Sequence, residues 1–218
     1  MLDTRGLRDK QVAGSDAAGL ANPARTMMGA AQEAWLFDQL RASQRASTPW
    51  TLLGQQVMFS SITLPGTRVI NTDAWDGYPA QRARVLDFVE RERIKNLVIF
   101  TGDAHSSWGF DVPRDAWNGY RATGDGSLAV ELVTPAICSP APAMFTSPDG
   151  HSAEAAARVA LPHLKYLDGS HHGYTIVDLT PTVMTATWFF SPDTRVHSEA
   201  EVGGGTLVCE RGSQHLQP

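Results

Sequence analysis

Asp103 and His105 stand two residues apart in Gly102-Asp103-Ala104-His105-Ser106-Ser107, directly after the apolar run Leu97-Val98-Ile99-Phe100. A carboxylate supplies a hard oxygen donor and an imidazole a nitrogen donor, a pair that suits a divalent or trivalent metal ion. One carboxylate can also bridge two ions, which then clamp a reacting group between them. In extended chain, residues i and i+2 point the same way, so the spacing predicts that the two side chains converge. The same residues also admit a purely structural use, with Asp103 capping a turn and His105 packed against Trp108.

A site of this kind needs elements to hold it. A short unbroken apolar run ended by glycine reads as a strand buried on both faces, here 97–101. Asp103 and His105 would then lie just past its C-terminal end, where open α/β sheets place their sites. Upstream, Ala31, Ala34, Trp35, Leu36, Phe37 and Leu40 give a helical stripe over 29–45, ended by Ser47-Thr48-Pro49. Trp50 to Ser60 reads as a strand with an irregular end. Pro79 suits a first helical turn, and Val85, Leu86, Phe88 and Val89 mark the buried side of a helix over 81–93. A helix joined to a strand by a short link is the unit of layered α/β domains. Further strands are expected at 127–134, 174–179 and 183–190, the last two forming a hairpin about Leu179-Thr180-Pro181-Thr182. A short Ala-rich helix is expected over 153–160.

Between these elements, 6–28, 60–79 and 111–126 read as loops, and 135–142 as a stiff proline-rich one. The 60–79 loop gathers Asp73 and Asp76 beside Trp75 and Tyr78, for which Asx-turn chemistry under an aromatic lid is the favoured use. The tail from Glu199, with Gly203-Gly204-Gly205, reads as a weakly anchored edge element.

The other imidazoles carry weaker signals. Adjacent His171 and His172 should diverge, so at most one faces any site. His163 reads as a packed or loop histidine. His151, His197 and His215 lie in polar stretches without an evident partner. Cys138 and Cys209 form no CxxC pattern, and their spacing leaves both a disulfide and two free thiols open.

Composition narrows the class. With 42% hydrophobic and 19% charged residues, the 218-residue chain has material for a sizeable core and is not of disordered type. Its formal net charge of -5 and the absence of a basic block argue against nucleic acid as a partner. No apolar run is long enough to span a bilayer. The first ten residues hold no signal-peptide h-region. Leu2-Asp3-Thr4-Arg5 reads as a strand end entering a loop, as in a chain that starts inside a domain.

Five segments in order carry a family likeness: Leu2-Asp3-Thr4-Arg5; Trp75-Asp76-Gly77-Tyr78-Pro79 followed by Arg82; Gly102-Asp103-Ala104-His105-Ser106-Ser107; Val130-Glu131-Leu132-Val133-Thr134-Pro135; and His172-Gly173-Tyr174. Together they resemble the C-terminal half of the PhoD-like alkaline phosphatases, a branch of the calcineurin-like metallophosphoesterases, over nearly the whole chain. The resemblance implies an α/β fold, part of a two-sheet α/β/β/α sandwich whose N-terminal half is missing, with residues 1–218 forming the C-terminal portion of a single domain. It implies metal-dependent hydrolysis of phosphate esters, with Asp103 and His105 as catalytic metal ligands, and iron and calcium as the ions. It further implies a periplasmic or extracellular location.

The family's first half carries the other acidic ligands, the thiolate and phenolate donors to iron, and an Asn-Arg pair near the phosphate. None of these is present in the matching segments, and two ligands cannot fill two coordination spheres. Asp73, Asp76 and His172 are the remaining candidate donors. Two further expectations follow: a catalytically silent remnant acting as a binding or partner module, completed by a missing half or by self-association, and a mononuclear zinc hydrolase using Asp103, His105 and His172.

Overall fold

The computed structural model describes residues 1–218. Its frame is a five-stranded sheet built from β1 (Thr51–Gly54), β2 (Leu97–Thr101), β3 (Ser107–Pro113), β4 (Ser127–Val133) and β5 (Leu164–Asp168), in the order β1-β2-β4-β3-β5. β1, β2 and β4 run parallel, while β3 is antiparallel to both β4 and β5. A second, wholly antiparallel sheet has the order β6-β7-β8, from β6 (Gly173–Leu179), β7 (Val183–Phe190) and β8 (Val202–Glu210).

Side chains of a strand alternate between its faces, and here both faces are covered. Leu97 and Ile99 of β2, with Ala129 and Val133 of β4, join the core beneath the helices. Val98, Val130 and Leu132 join Met184, Ala186, Trp188 and Leu207 in a second core between the sheets. The chain therefore stacks as helices, mixed sheet, then antiparallel sheet. The two sheets approach closely at β3, where a Cβ on Gly109 would fall 2.4 Å from Leu207 Cδ1.

The helical layer is α2 (Gly29–Arg45) and α3 (Pro79–Arg91), preceded by a single short helix, α1 (Ala17–Ala21). Leu36 and Leu40 are spaced i, i+4 and are both buried, as are Val85, Leu86, Phe88 and Val89. Phe37 stacks on Phe88 with ring centroids 4.0 Å apart, locking α2 to α3. α5 (Gly150–Ala160) packs beside β5, and α4 (Ala143–Thr146) packs on α5.

Several expected elements differ. The first expected strand stops at Gly54, and Val57 to Ser60 continue as buried irregular chain. The supposed 111–126 connection begins inside β3, every residue of which is buried. It was missed because Gly109, Asp111 and Pro113 break any two-residue apolar alternation. β5 was missed for its length and for Lys165. The 6–28 loop contains α1 and buries Met27 and Met28. The tail is the largest correction. Val202–Glu210 is a nine-residue strand paired along β7, with Leu207 and Cys209 buried, so it is an edge strand but firmly anchored. Cys138 is exposed, Cys209 is buried, and both are free thiols.

Candidate strand-tip site

The site is set by a buried polar chain beneath the tip of β2. Trp75 Nε1 donates to Gln55 Oε1 at 3.1 Å, and Gln55 Nε2 donates to Thr101 Oγ1 at 2.6 Å. Thr101 Oγ1 in turn donates to Glu131 Oε1 at 2.6 Å. The Glu131 carboxylate also receives the backbone N–H groups of Phe59 and Ser60 at 2.8 and 2.7 Å. Each group is satisfied, which lets a carboxylate with 0% exposure sit in the central strand. The network ties the end of β2 and the middle of β4 to the 55–60 segment that follows β1, and fixes the platform from which Gly102 departs.

Beyond Thr101 the chain is not extended. Asp103 and His105 have φ of 64° and 53°, the left-handed region, and Ala104 N–H donates to Gly102 O at 2.7 Å. The expectation of same-side projection from an extended i, i+2 pair is therefore corrected: a tight turn, closed by Ser106 Oγ to Ala104 O and Trp108 Nε1 to Ser106 Oγ, presents both side chains. Left-handed backbone at non-glycine residues is held only where surroundings over-determine it, and such positions concentrate at functional sites.

The two side chains meet different neighbours. His105 Nδ1 lies 2.9 Å from Pro140 O, so as a donor there it leaves Nε2 free. Asp103 keeps 43% side-chain exposure, and its Oδ1 accepts from Arg5 Nη2 at 2.6 Å. Arg5 Nη1 contacts Asp73 Oδ2 at 2.5 Å. Arg8 reaches Asp73 Oδ1 at 2.8 Å, and Gln11 Nε2 donates to the same oxygen. Burial acts to raise the Asp73 carboxyl, but the hydrogen bonds from Arg8 and Arg5 outweigh it and hold the pKa below the ordinary value.

The other candidate donors have different surroundings. Asp76 Oδ2 accepts the N–H groups of Ile62 and Thr63, both at 3.1 Å, and the Thr63 hydroxyl at 2.7 Å, a loop-fixing role. His172 Nε2 lies 2.8 Å from Ser139 O. His171 diverges toward Asp168 and stacks on Phe190. His163 is packed, 1% exposed, against Phe110 and Trp117. His215, expected to lack a partner, instead contacts buried Asp111 at 2.6 Å.

A metal would find a partial fit here. The free Nε2 of His105, oriented through a backbone carbonyl, matches the way ligating histidines are held. Asp103 Oδ2 has no protein partner among the hydrogen bonds of the turn. Yet no group of three His, Cys, Asp or Glu side chains is placed to hold an ion. Asp103 and His105 therefore fit as part of a coordination sphere, and neither the mononuclear zinc set with His172 nor a complete bimetal set is gathered within these residues. A depression of about 300 Å³ between α2 and α3 contains none of the strand-tip residues. A smaller cleft of about 190 Å³, lined by Phe100, Thr101, Leu132, Thr134, Thr175 and Val177, opens between the sheets beside Thr101.

Sequence reasoning missed Arg5 as a neighbour of Asp103. The signal was the Leu2-Asp3-Thr4-Arg5 segment, whose alternation of buried Leu2 and Thr4 with outward Asp3 and Arg5 marks a fixed stretch that aims its charged residues. The Ser139 and Pro140 carbonyls carried no signal, because backbone acceptors have no residue type.

Comparison with known proteins bears on this geometry. The family model of PhoD-like phosphatases matches residues 1–188. The alkaline phosphatase D of Bacillus subtilis (strain 168) is 31% identical, over 88% of this chain and 32% of that protein. A solved structure described as the structure of PhoD superposes with a TM-score of 0.82 at 28% identity, covering 99% of this chain and 40% of that one. The chain thus spans about a third of the length of the curated relative that it matches.

Proposed function

Taking as premise that the chain belongs to the PhoD-like phosphatase family, we propose that it contributes one side of a metal-dependent phosphoester hydrolase site. The observation that supports this most directly is the turn after β2, where Asp103 and His105, both in left-handed backbone, offer a free carboxylate oxygen and an oriented imidazole. Bound cations, iron and calcium by family likeness, would supply charge neutralisation and Lewis acidity at the phosphoryl oxygens. What this chain does is position. The Gln55–Thr101–Glu131 chain fixes the strand tip, Pro140 O selects the His105 nitrogen left free, and Asp103 presents the hard donor. The donors still required would come from outside these 218 residues, and an exported location, periplasmic or extracellular, belongs to the same proposal.

The test is direct. Within a chain of the relatives' full length, these residues should support hydrolysis of p-nitrophenyl phosphate. Asp103→Ala should then slow it by on the order of a thousandfold, the scale of several kcal/mol of lost transition-state stabilisation. Near-normal turnover would remove Asp103 from the machinery.

A second reading, a catalytically silent partner module, draws on the absence of any three-donor cluster. Metal content of a chain of the relatives' full length, purified without chelator, separates the two. Stoichiometric iron or calcium supports the hydrolase site, and none supports the silent module.

A further inference from the structure

We propose that the second sheet takes one further strand along the free edge of β6, an extended segment from outside these 218 residues that lies beneath β1 and closes the open side of the sandwich. This rests on the fold and is independent of any metal at the strand tip.

The two sheets end out of step on this side. β1 ends the first sheet and β6 ends the second. Leu52 of β1 pairs in register with Val98 of β2, and paired residues of adjacent strands share a face. Val98 lies in the core between the sheets, so Leu52 points into the same layer. Yet Val98 is 0% exposed and Leu52 is 48% exposed. β6 stops short of Leu52 and packs against β2 and β4. Val177 lines a cleft of about 190 Å³ with Phe100 and Leu132, and Thr175 Oγ1 donates to Thr134 Oγ1 at 3.2 Å. An inward apolar side chain is thus left in water because the facing sheet is one strand too narrow.

The edge of β6 is open to pairing. Ser191 N–H donates to His172 O and Thr180 N–H to Val183 O, so the even-numbered residues of this strand bond to β7. Thr175, Val177 and Leu179 therefore turn their N–H and C=O groups to the free side. Gly173 has the same phase, and its N–H is taken by Ala136 O at 3.0 Å. At the other end, Trp50 Nε1 donates to Thr180 O at 2.7 Å. These two contacts bound a slot from Thr175 to Leu179. Asp178, the one charged residue of β6, lies on the outer face with Tyr174 and Ile176, so no charge guards the slot. An uncharged open edge templates strand addition. The occupant it fits is an extended segment with apolar inward side chains, which would cover Leu52 and Phe100. Proteins of the relatives' length carry more than half of their chain outside the matched residues, enough to supply it.

The test is amide hydrogen exchange, compared between two proteins. One is the 218-residue chain, dilute enough to sediment as a monomer, and the other a chain of the relatives' full length. In the short chain Thr175 and Val177 should exchange fast, while Ile176 and Asp178, bonded to β7, stay protected. In the long chain Thr175 and Val177 should slow by about a hundredfold or more. Leu52→Lys should leave the melting temperature of the short chain within about 2 °C, because that side chain is already half in water. In the long chain it should return Thr175 and Val177 to fast exchange, with Ile176 and Asp178 still protected as the sign of a folded hairpin. Fast exchange at Thr175 and Val177 in both proteins overturns the proposal. So does protection in the dilute short chain, since the edge would then cover itself. Protection in the long chain that fades on dilution gives the slot to a second copy and overturns it as well. Protection that survives Leu52→Lys overturns the placement beneath β1. None of these outcomes bears on the hydrolase reading, which p-nitrophenyl phosphate turnover decides.

Discussion

Glu131 Oε2 accepts the backbone N–H of Ser60 at 2.7 Å, joining the middle of β4 to a segment 71 residues earlier in the chain. Its other oxygen takes Phe59 N–H and the Thr101 hydroxyl, so one fully buried carboxylate satisfies three donors at once. Replacing it with Ala would orphan all three. Urea denaturation of Glu131→Ala should show a loss of about 3–5 kcal/mol, since an unpaired buried donor costs about 1–3 kcal/mol. Glu131→Gln, which keeps an acceptor, should lose less than half as much. Equal stability of Glu131→Ala and wild type would show that the network does not hold the tip.

His163 sets a pH dependence. Burial, with Arg82 and Lys165 adding their positive charge, lowers its pKa to about 4, against an ordinary 6.5. The folded state therefore resists a proton that the unfolded chain takes up. Stability is fully present above about pH 6.5 and falls as the pH drops toward 4, after which this residue contributes no further slope. The full difference is bounded at about 3 kcal/mol. Thermal melts across this window should flatten in His163→Phe, and an unchanged slope would exclude His163 as the source.

The C-terminal tail is clasped through Asp111. This carboxylate, 0% exposed, accepts from Leu216 N–H at 2.8 Å and from Tyr120 OH at 2.8 Å, and meets His215 Nδ1 at 2.6 Å. Burial first, and then the negative charge of Asp111, push the Tyr120 phenol upward, so it stays a donor at any ordinary pH. His215→Ala should cost about 1.5–3 kcal/mol, the range for a hydrogen bond to a charged group. It should also raise amide exchange at Val208 and Gln217, which pair with each other. Unchanged exchange there would mean that β8 holds the tail without the clasp.

Outer edges bear on association. β1 and β6 each end a sheet, and Leu52, Tyr174 and Ile176 are 48%, 40% and 45% exposed along them. Unpaired edges with apolar side chains template strand addition. Sedimentation of the isolated chain should show self-association that rises with concentration and is reduced by Ile176→Lys. A clean monomer at every concentration would show these edges to be self-protected.

Much of the framework was legible in residue order. The apolar run 97–101, the stripes of α2 and α3, and the 174–190 hairpin are local patterns whose period fixes their type, and the five ordered segments carried the family. The same local logic failed at β3, β5 and β8. In β3, Asp111 is tolerated inside a buried strand because nearby Tyr120, and His215 and Leu216 from the far end of the chain, satisfy it. In β8, three consecutive glycines read as loop, yet the missing side chains of Gly204 and Gly205 admit Phe190, Trp188 and the ring of Tyr166 against the backbone.

At the site, the sequence determined which donors exist. Asp103 and His105 are a property of residue types and spacing, and so is the short reach between them. Only the tertiary structure decided what those donors face. Whether Asp103 stands free or is held by Arg5, and which nitrogen of His105 is left open, depend on an N-terminal turn and a proline-rich loop brought together by the sheet. Hydrogen bonds and ion pairs act over about 3 Å. Contacts between residues 35 and 98 positions apart therefore come into being only when packing has closed the distance.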